Sequence, residues 1–212
     1  MPTFSLSDGH VAAGGTLLDR AARVLVLLHG RGATAESILT LARELDAADY
    51  AWVALQAPGR TWYPCSFMAP TAQNEPYFSD SLRRLAELHE HLNERGFADD
   101  RICWAGFSQG ACLTTEFCAR HARRWGGVVA FTGGLIGATL DPTHYDGDFA
   151  GTPTFLGSSD PDPHVPPARV RDTERTYAGM GAAVTCRIYP GLGHTINADE
   201  VAQANQILAR HR

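Results

Sequence analysis

The sequence predicts an α/β fold: one mainly parallel, twisted sheet with helices on both faces and no cap domain. Three observations carry that expectation. Past Gly15, short apolar runs alternate with amphipathic stretches, the order that parallel strands joined by helical crossovers require. A serine bracketed by glycines, Gly106-Phe107-Ser108-Gln109-Gly110, stands between an apolar run, Ile102 to Ala105, and a helix-like segment, Ala111 to Arg124. Finally, 212 residues at 44% hydrophobic suffice for one substantial core, so residues 1–212 are read as a single domain.

Taken in order, residues 3–13 are read as an antiparallel edge strand, and strands are expected at 23–28, 51–56, 101–106, 127–132, 153–157 and 183–189. Ile38, Leu41 and Leu45 mark one helix face. Leu82, Leu85, Leu88 and Leu92 mark a second, which Gly96 stops as a C′ glycine. Val170, Thr173, Tyr177 and Met180 mark a third. The last helix opens at Asn197 with Glu200 three residues on, a capping-box variant, and buries Val201, Ala204, Ile207 and Leu208. Two long loops, 57–76 and 133–152, follow strands and so belong at the carboxyl end of the sheet, where open α/β sheets bind ligands.

Composition narrows the function. The net charge is −5 and the arginines are scattered, so neither nucleic acid nor an anionic membrane is an expected partner. All eighteen basic residues are arginine, which removes a Ser-Lys dyad, Schiff-base chemistry and the phosphate-loop lysine together. The first fifteen residues do not read as a signal peptide, and no apolar run approaches a membrane span, so a cytoplasmic protein without stable membrane insertion is expected. The five cysteines, Cys65, Cys103, Cys112, Cys118 and Cys186, show no CxxC spacing and read as small hydrophobes rather than disulfides or ligands. No cofactor is expected. A metal held by Asp160, Asp162, His164 and His194 has no spacing motif behind it.

In its strand-to-helix context the glycine-bracketed serine reads as a nucleophile elbow, with Ser108 as the candidate nucleophile. A serine hydroxyl needs a base, an acid to orient the base, and donors for the developing oxyanion. His121 lies in a basic cluster, His144 in a polar loop and His211 near the end of the chain. His194, on a Gly-rich loop leaving the strand with Val184, Cys186 and Ile188, is the candidate base. Asp160 and Asp162 at the end of an apolar strand both qualify as the acid; the other would cap the helix near Pro166 or remain solvated. The oxyanion donors are expected from the backbone N–H groups of Gln109 and of Arg31, which sits between Gly30 and Gly32. His29 precedes the serine and reads as structural. In the first long loop, Trp62, Tyr63, Phe67 and Met68 read either as a satellite core or as the apolar wall of a substrate pocket with Asn74 and Glu75 as its polar rim.

The chain resembles the phospholipase/carboxylesterase family of α/β-hydrolases, which includes acyl-protein thioesterases and is related to dienelactone hydrolases. The resemblance runs from about residue 23 to 210. It rests on Leu28-His29-Gly30-Arg31-Gly32, Trp62-Tyr63-Pro64, Asn74-Glu75-Pro76, the Ser108 elbow, Thr132-Gly133-Gly134-Leu135-Ile136-Gly137, Asp162-Pro163-His164-Val165-Pro166 and Gly193-His194-Thr195. It implies an α/β-hydrolase fold and hydrolysis of carboxylic esters, thioesters or lysophospholipids, without fixing which; the reading adopted is a serine hydrolase of small to medium carboxylic esters, with thioesters or lysophospholipids as alternatives on the same triad. A ligand-binding scaffold that lacks chemistry is the alternative of another class. The chain departs from the commoner family pattern, in which a glycine, two residues, an aspartate and Pro-x-Val-Pro run on continuously. Here two extra residues intervene, so Asp160 keeps its distance to Gly157 whereas Asp162 keeps its distance to Val165-Pro166. Pro161 and Pro163 stiffen the backbone around Asp162, which favours it as the acid.

Overall fold

The structure, a computed structural model, describes residues 11–209. Its strands are β1 (Val11–Gly15), β2 (Arg23–Leu28), β3 (Tyr50–Leu55), β4 (Ile102–Phe107), β5 (Gly127–Phe131), β6 (Pro153–Asp160) and β7 (Ala183–Pro190). The helices are α1 (Ala35–Glu44), α2 (Tyr77–Glu94), α3 (Gln109–Arg120), α4 (Pro167–Gly179) and α5 (Ala198–Ala209). The strands form one sheet in the order β1-β3-β2-β4-β5-β6-β7, in which β1 runs antiparallel to β3 and every other pair is parallel. Of the expected edge segment, residues 11–13 fall in β1, while residues 3–10, like His211, lie outside the described residues.

Every side chain from Val24 to Leu28 is buried, which only a strand covered on both faces permits. Val24, Val26 and Leu28 pack with Leu85, Leu88 and Leu92 of α2, Leu113 and Phe117 of α3, and Val170 and Tyr177 of α4. Leu25 and Leu27 point the other way, to Ile38 and Ala42 of α1 and to Ala204, Ile207 and Leu208 of α5. The alternation thus sorts three helices to one face and two to the other.

Helix ends follow the local chemistry. The Asn197 N–H donates to Glu200 Oε2 and the Glu200 N–H to Asn197 Oδ1, each at 2.9 Å, so the expected capping box opens α5. Gly96, at φ 89°, ends α2 as its N–H bonds Asn93 O while that of Phe97 bonds Leu92 O.

Two expected boundaries move. Helix α3 stops at Arg120 rather than at Arg124, because the chain must turn back to bury Trp125, whose N–H donates to Arg123 O and to Thr152 Oγ1. Strand β6 runs three residues past Gly157: Ser158, Ser159 and Asp160 stay in register with Ile188, Tyr189 and Pro190, although their polar side chains hid the strand from an apolar count.

Candidate active site

Ser108 links β4 to α3 with φ 55° and ψ −120°, a conformation that costs a non-glycine residue about 1–3 kcal/mol and must be held by its surroundings. The hold is close packing. A Cβ on Gly106 would lie 2.5 Å from the Gly110 carbonyl group, and one on Gly110 would lie 2.1 Å from Leu28 O. Both positions of the elbow are therefore closed to any larger residue. The Ser108 N–H also donates to Phe131 O at 2.9 Å, fixing the turn against β5.

Beyond β7, Gly193 donates its N–H to Ser159 Oγ at 2.9 Å, which ties the loop carrying His194 to the end of β6. His194 Nε2 then lies 2.8 Å from Ser108 Oγ, and His194 Nδ1 lies 2.8 Å from Asp162 Oδ2. The other oxygen of Asp162 accepts the N–H groups of His164 and Val165, both at 2.8 Å. Burial works against ionisation of Asp162, but the hydrogen bonds from His194 and from these two N–H groups outweigh it and hold the carboxyl below its usual range. With an ionised acceptor at Nδ1, the neutral His194 ring keeps its proton there and leaves Nε2 free to accept from the serine. Phe107 and His164 pack against the His194 ring with centroids at 5.2 and 4.8 Å.

Asp160 does not share this arrangement. Its side chain is exposed at the end of β6, where the Asp160 carbonyl accepts the Gly191 N–H. Nor does it cap α4, whose N-cap, Pro166, has no side-chain hydrogen bond. The extension of β6 uses up the distance that counting from Gly157 had assigned to the acid.

Ser108 and His194 open onto a cavity of about 520 Å³, lined also by Arg31, Tyr63, Phe67, Gln109, Cys112 and Val165 among others. Gln109 is the first residue of α3, so its N–H has no helical acceptor. The Arg31 N–H has no backbone acceptor among the described residues. The side chains of both residues grip the loop between β3 and α2. Gln109 Nε2 donates to Tyr63 O and its Oε1 accepts from Trp62 N, while Arg31 donates to Pro64 O and Cys65 O at 2.8 and 2.7 Å. His29 anchors the same loop from below. Its Nε2 accepts the Ala57 N–H at 3.1 Å and its Nδ1 meets Gly30 O at 2.7 Å, and burial lowers its pKa, so it is held neutral.

The aromatic loop divides in a way the sequence did not separate. Trp62, Tyr63 and Phe67 all pack in the same core, but Tyr63 and Phe67 also line the cavity, whereas Trp62 does not and its Nε1 donates to His29 O at 2.8 Å. Met68 packs partly buried against that core. Asn74 and Glu75 form no rim. Asn74 is fully buried and bridges Cys65 N and Ser66 O, while the Glu75 carboxylate accepts from Ser79 in the first turn of α2. His164 and Cys112 also line the cavity, although sequence reasoning placed neither in the substrate site: His164 read only as an unsupported metal ligand and Cys112 as a small hydrophobe. His164 lies two positions past Asp162, and Cys112 lies in the first turn of α3, four residues past Ser108.

Among the described residues, no cluster of three or more His, Cys, Asp or Glu side chains is arranged to hold a metal ion, and no helix is long and apolar enough to cross a membrane.

The family model described as Phospholipase/Carboxylesterase matches residues 17–212. The crystal structure of a phospholipase/carboxylesterase from Dyadobacter fermentans is 44% identical, with a TM-score of 0.92 over 94% of this chain and 96% of that one. Acyl-protein thioesterase 1 of Eremothecium gossypii is 28% identical over 66% of this chain and 61% of its own length. A probable carboxylesterase, SOBER1-like, of Arabidopsis thaliana is 26% identical over 93% of this chain and 83% of its own length. The chain spans about six-tenths of the length of the first curated relatives that it matches.

Proposed function

Because the chain belongs to the phospholipase/carboxylesterase family, we propose that it is a serine hydrolase that cleaves small to medium carboxylic esters through an acyl-enzyme on Ser108. The observation that carries this reading is the unbroken line of two 2.8 Å contacts, Ser108 Oγ to His194 Nε2 and His194 Nδ1 to Asp162 Oδ2, at the mouth of a cavity of acyl-group size.

In this mechanism His194 Nε2 takes the Ser108 proton as Oγ attacks the ester carbonyl, and Asp162 stabilises the imidazolium that forms. The N–H groups of Arg31 and Gln109 donate to the carbonyl oxygen as it gains charge. The tetrahedral adduct collapses when His194 gives its proton to the leaving alcohol. Water, deprotonated by the same nitrogen, then attacks the acyl-Ser108 ester and frees the acid. Tyr63 and Phe67 wall the acyl site.

A thioester fits the same steps, with a thiol as leaving group. The relatives named acyl-protein thioesterase favour this second reading.

A fluorophosphonate probe followed by peptide mass spectrometry tests the proposal. Labelling is expected on Ser108 alone, and Ser108→Ala should lose both labelling and hydrolysis of p-nitrophenyl esters, down to a residue of about 10³-fold over water. Label on another serine, or an active alanine variant, overturns it.

A further inference from the structure

The cavity carries one permanently ionised group, and the fold does not neutralise it. No Asp or Glu lines the cavity, and Arg31 is the only arginine among the lining residues. The head group of Arg31 lies at that wall. Both carbonyls that it grips, Pro64 O and Cys65 O at 2.8 and 2.7 Å, belong to lining residues, and its Cζ stands 6.0 Å from the ring centroid of Tyr63, another of them. Arg31 is exposed, so a ligand that enters the cavity can reach it. The nucleophile is close by: a Cβ on Gly30, the residue before Arg31, would lie 3.4 Å from Ser108 Cβ. The two carbonyls use two of the five guanidinium N–H groups and leave the others. Among the described residues, Arg31 forms no ion pair. The carboxylates that touch cavity residues or their helix are already engaged. Asp162 accepts from His194 and from two backbone N–H groups, and Glu116 pairs with Arg120 at 2.7 Å and accepts the Ile136 N–H; both carboxylate side chains are 0% exposed. Tethering two carbonyls needs donors but no net charge, so the charge of Arg31 serves nothing in the fold.

We infer that the Arg31 guanidinium is a specificity determinant that favours esters carrying a carboxylate, on the acyl or the alcohol side of the scissile bond. A guanidinium presents parallel N–H groups that match the two oxygens of a carboxylate. The rest of the wall calls for a single anionic end on an otherwise apolar substrate, since Tyr63, Phe67, Phe107 and Val165 offer apolar area and no second arginine stands beside them. Exposure bounds the effect. Water screens the pair, so the preference is about fivefold, the worth of a good exposed ion pair. This inference rests on the hydrolase reading and adds the charge of the substrate to it.

Two matched pairs of esters test it, with the uncatalysed rate subtracted: mono-p-nitrophenyl adipate against its methyl ester for an acyl-side anion, and 4-acetoxybenzoate against its methyl ester for an alcohol-side anion. Each pair is run on wild type, Arg31→Gln and Arg31→Lys. Glutamine and lysine can each donate to one of the two carbonyls, and they differ in charge. In whichever pair brings its carboxylate to the guanidinium, the acid-to-methyl-ester ratio of kcat/KM should fall about fivefold in Arg31→Gln and stay near the wild-type value in Arg31→Lys. A loss of rate shared by both esters cancels in this ratio, so the readout is separate from the loop tether and from the Arg31 N–H. In wild type, raising the salt from about 0.05 M to about 0.5 M should lower kcat/KM for the responding acid and leave its methyl ester unchanged, a measurement that needs no variant. A ratio unchanged by Arg31→Gln in both pairs, an equal fall in Arg31→Gln and Arg31→Lys, or no salt effect on either acid overturns the inference, and the hydrolase reading stands as long as the methyl esters are turned over. Failure to hydrolyse any of the four esters overturns both.

Discussion

Replacing Asp162 by asparagine should disable the enzyme through the direction of one proton. The carboxylate makes three contacts: Oδ2 accepts from His194 Nδ1, and Oδ1 accepts two backbone N–H groups. An amide has a single acceptor oxygen. Two N–H groups outnumber one, so the amide oxygen stays with His164 and Val165 and the NH2 group turns to His194. Nδ1 must then accept, its proton moves to Nε2, and the nitrogen facing Ser108 becomes a donor that cannot take the serine proton. Loss of the correct tautomer with geometry preserved costs about 10⁴-fold in kcat, equivalent to about 5 kcal/mol of transition-state stabilisation. Asp160→Asn, at an exposed strand end, should change kcat less than about twofold. The pKa of Asp162 is held below its unfolded value, so its contribution to folding is present above the ordinary carboxylate range and fades as pH falls through the depressed value. The stability lost in Asp162→Asn should accordingly be greatest near neutrality. Initial rates with p-nitrophenyl acetate, beside urea unfolding of both variants, provide the assay. An Asp162→Asn enzyme within tenfold of wild type, or an equal loss in Asp160→Asn, would refute the tautomer argument.

Two other outcomes follow from buried residues. Trp62→Ala should lower stability by about 3–5 kcal/mol in denaturant unfolding, because it empties a filled core site and frees His29 O; a raised KM at unchanged stability would instead make it a cavity wall. Glu200 is fully buried and burial raises its pKa to about 7, so its stabilising contribution is complete below the ordinary glutamate range and is lost as pH rises through about 7. Glu200→Gln keeps an acceptor for Asn197 N–H, so urea midpoints should show the variant gaining on wild type between pH 5 and pH 8, toward about 3 kcal/mol; a constant difference across that range would count against it.

The sequence made the candidate nucleophile and base legible because each depends on local backbone chemistry. Two glycines permit the elbow at Ser108, and a glycine-rich turn after a strand carries His194. The candidate acid was harder, since Asp160 and Asp162 differ only in how far β6 continues, and that is decided by pairing with β7, a partner some thirty residues away in sequence. Trp62 and Tyr63 are neighbours of similar character, and only long-range contacts with His29 and Gln109 decide which of them faces the cavity. Asn74 misled for a related reason. A polar side chain in a loop suggests solvent, but this amide replaces main-chain partners for Cys65 and Ser66 and is buried by doing so. Periodicity located the helices well, and it failed at the end of α3, where burial of Trp125 overrode it.

Arg31 and Gln109 each line the cavity and have a side chain fastened to carbonyls of the aromatic loop. In the proposed mechanism, the loop that walls the acyl site and the amides offered to the reacting carbonyl are therefore one mechanical piece. A lineage that remodels residues 61–65 to accept a new acyl chain would disturb the two tethers at the same time, so a change of taste carries a change of rate with it. New specificity would arise with least damage at positions that line the cavity and hold neither tether, such as Phe67, Val165 and His164.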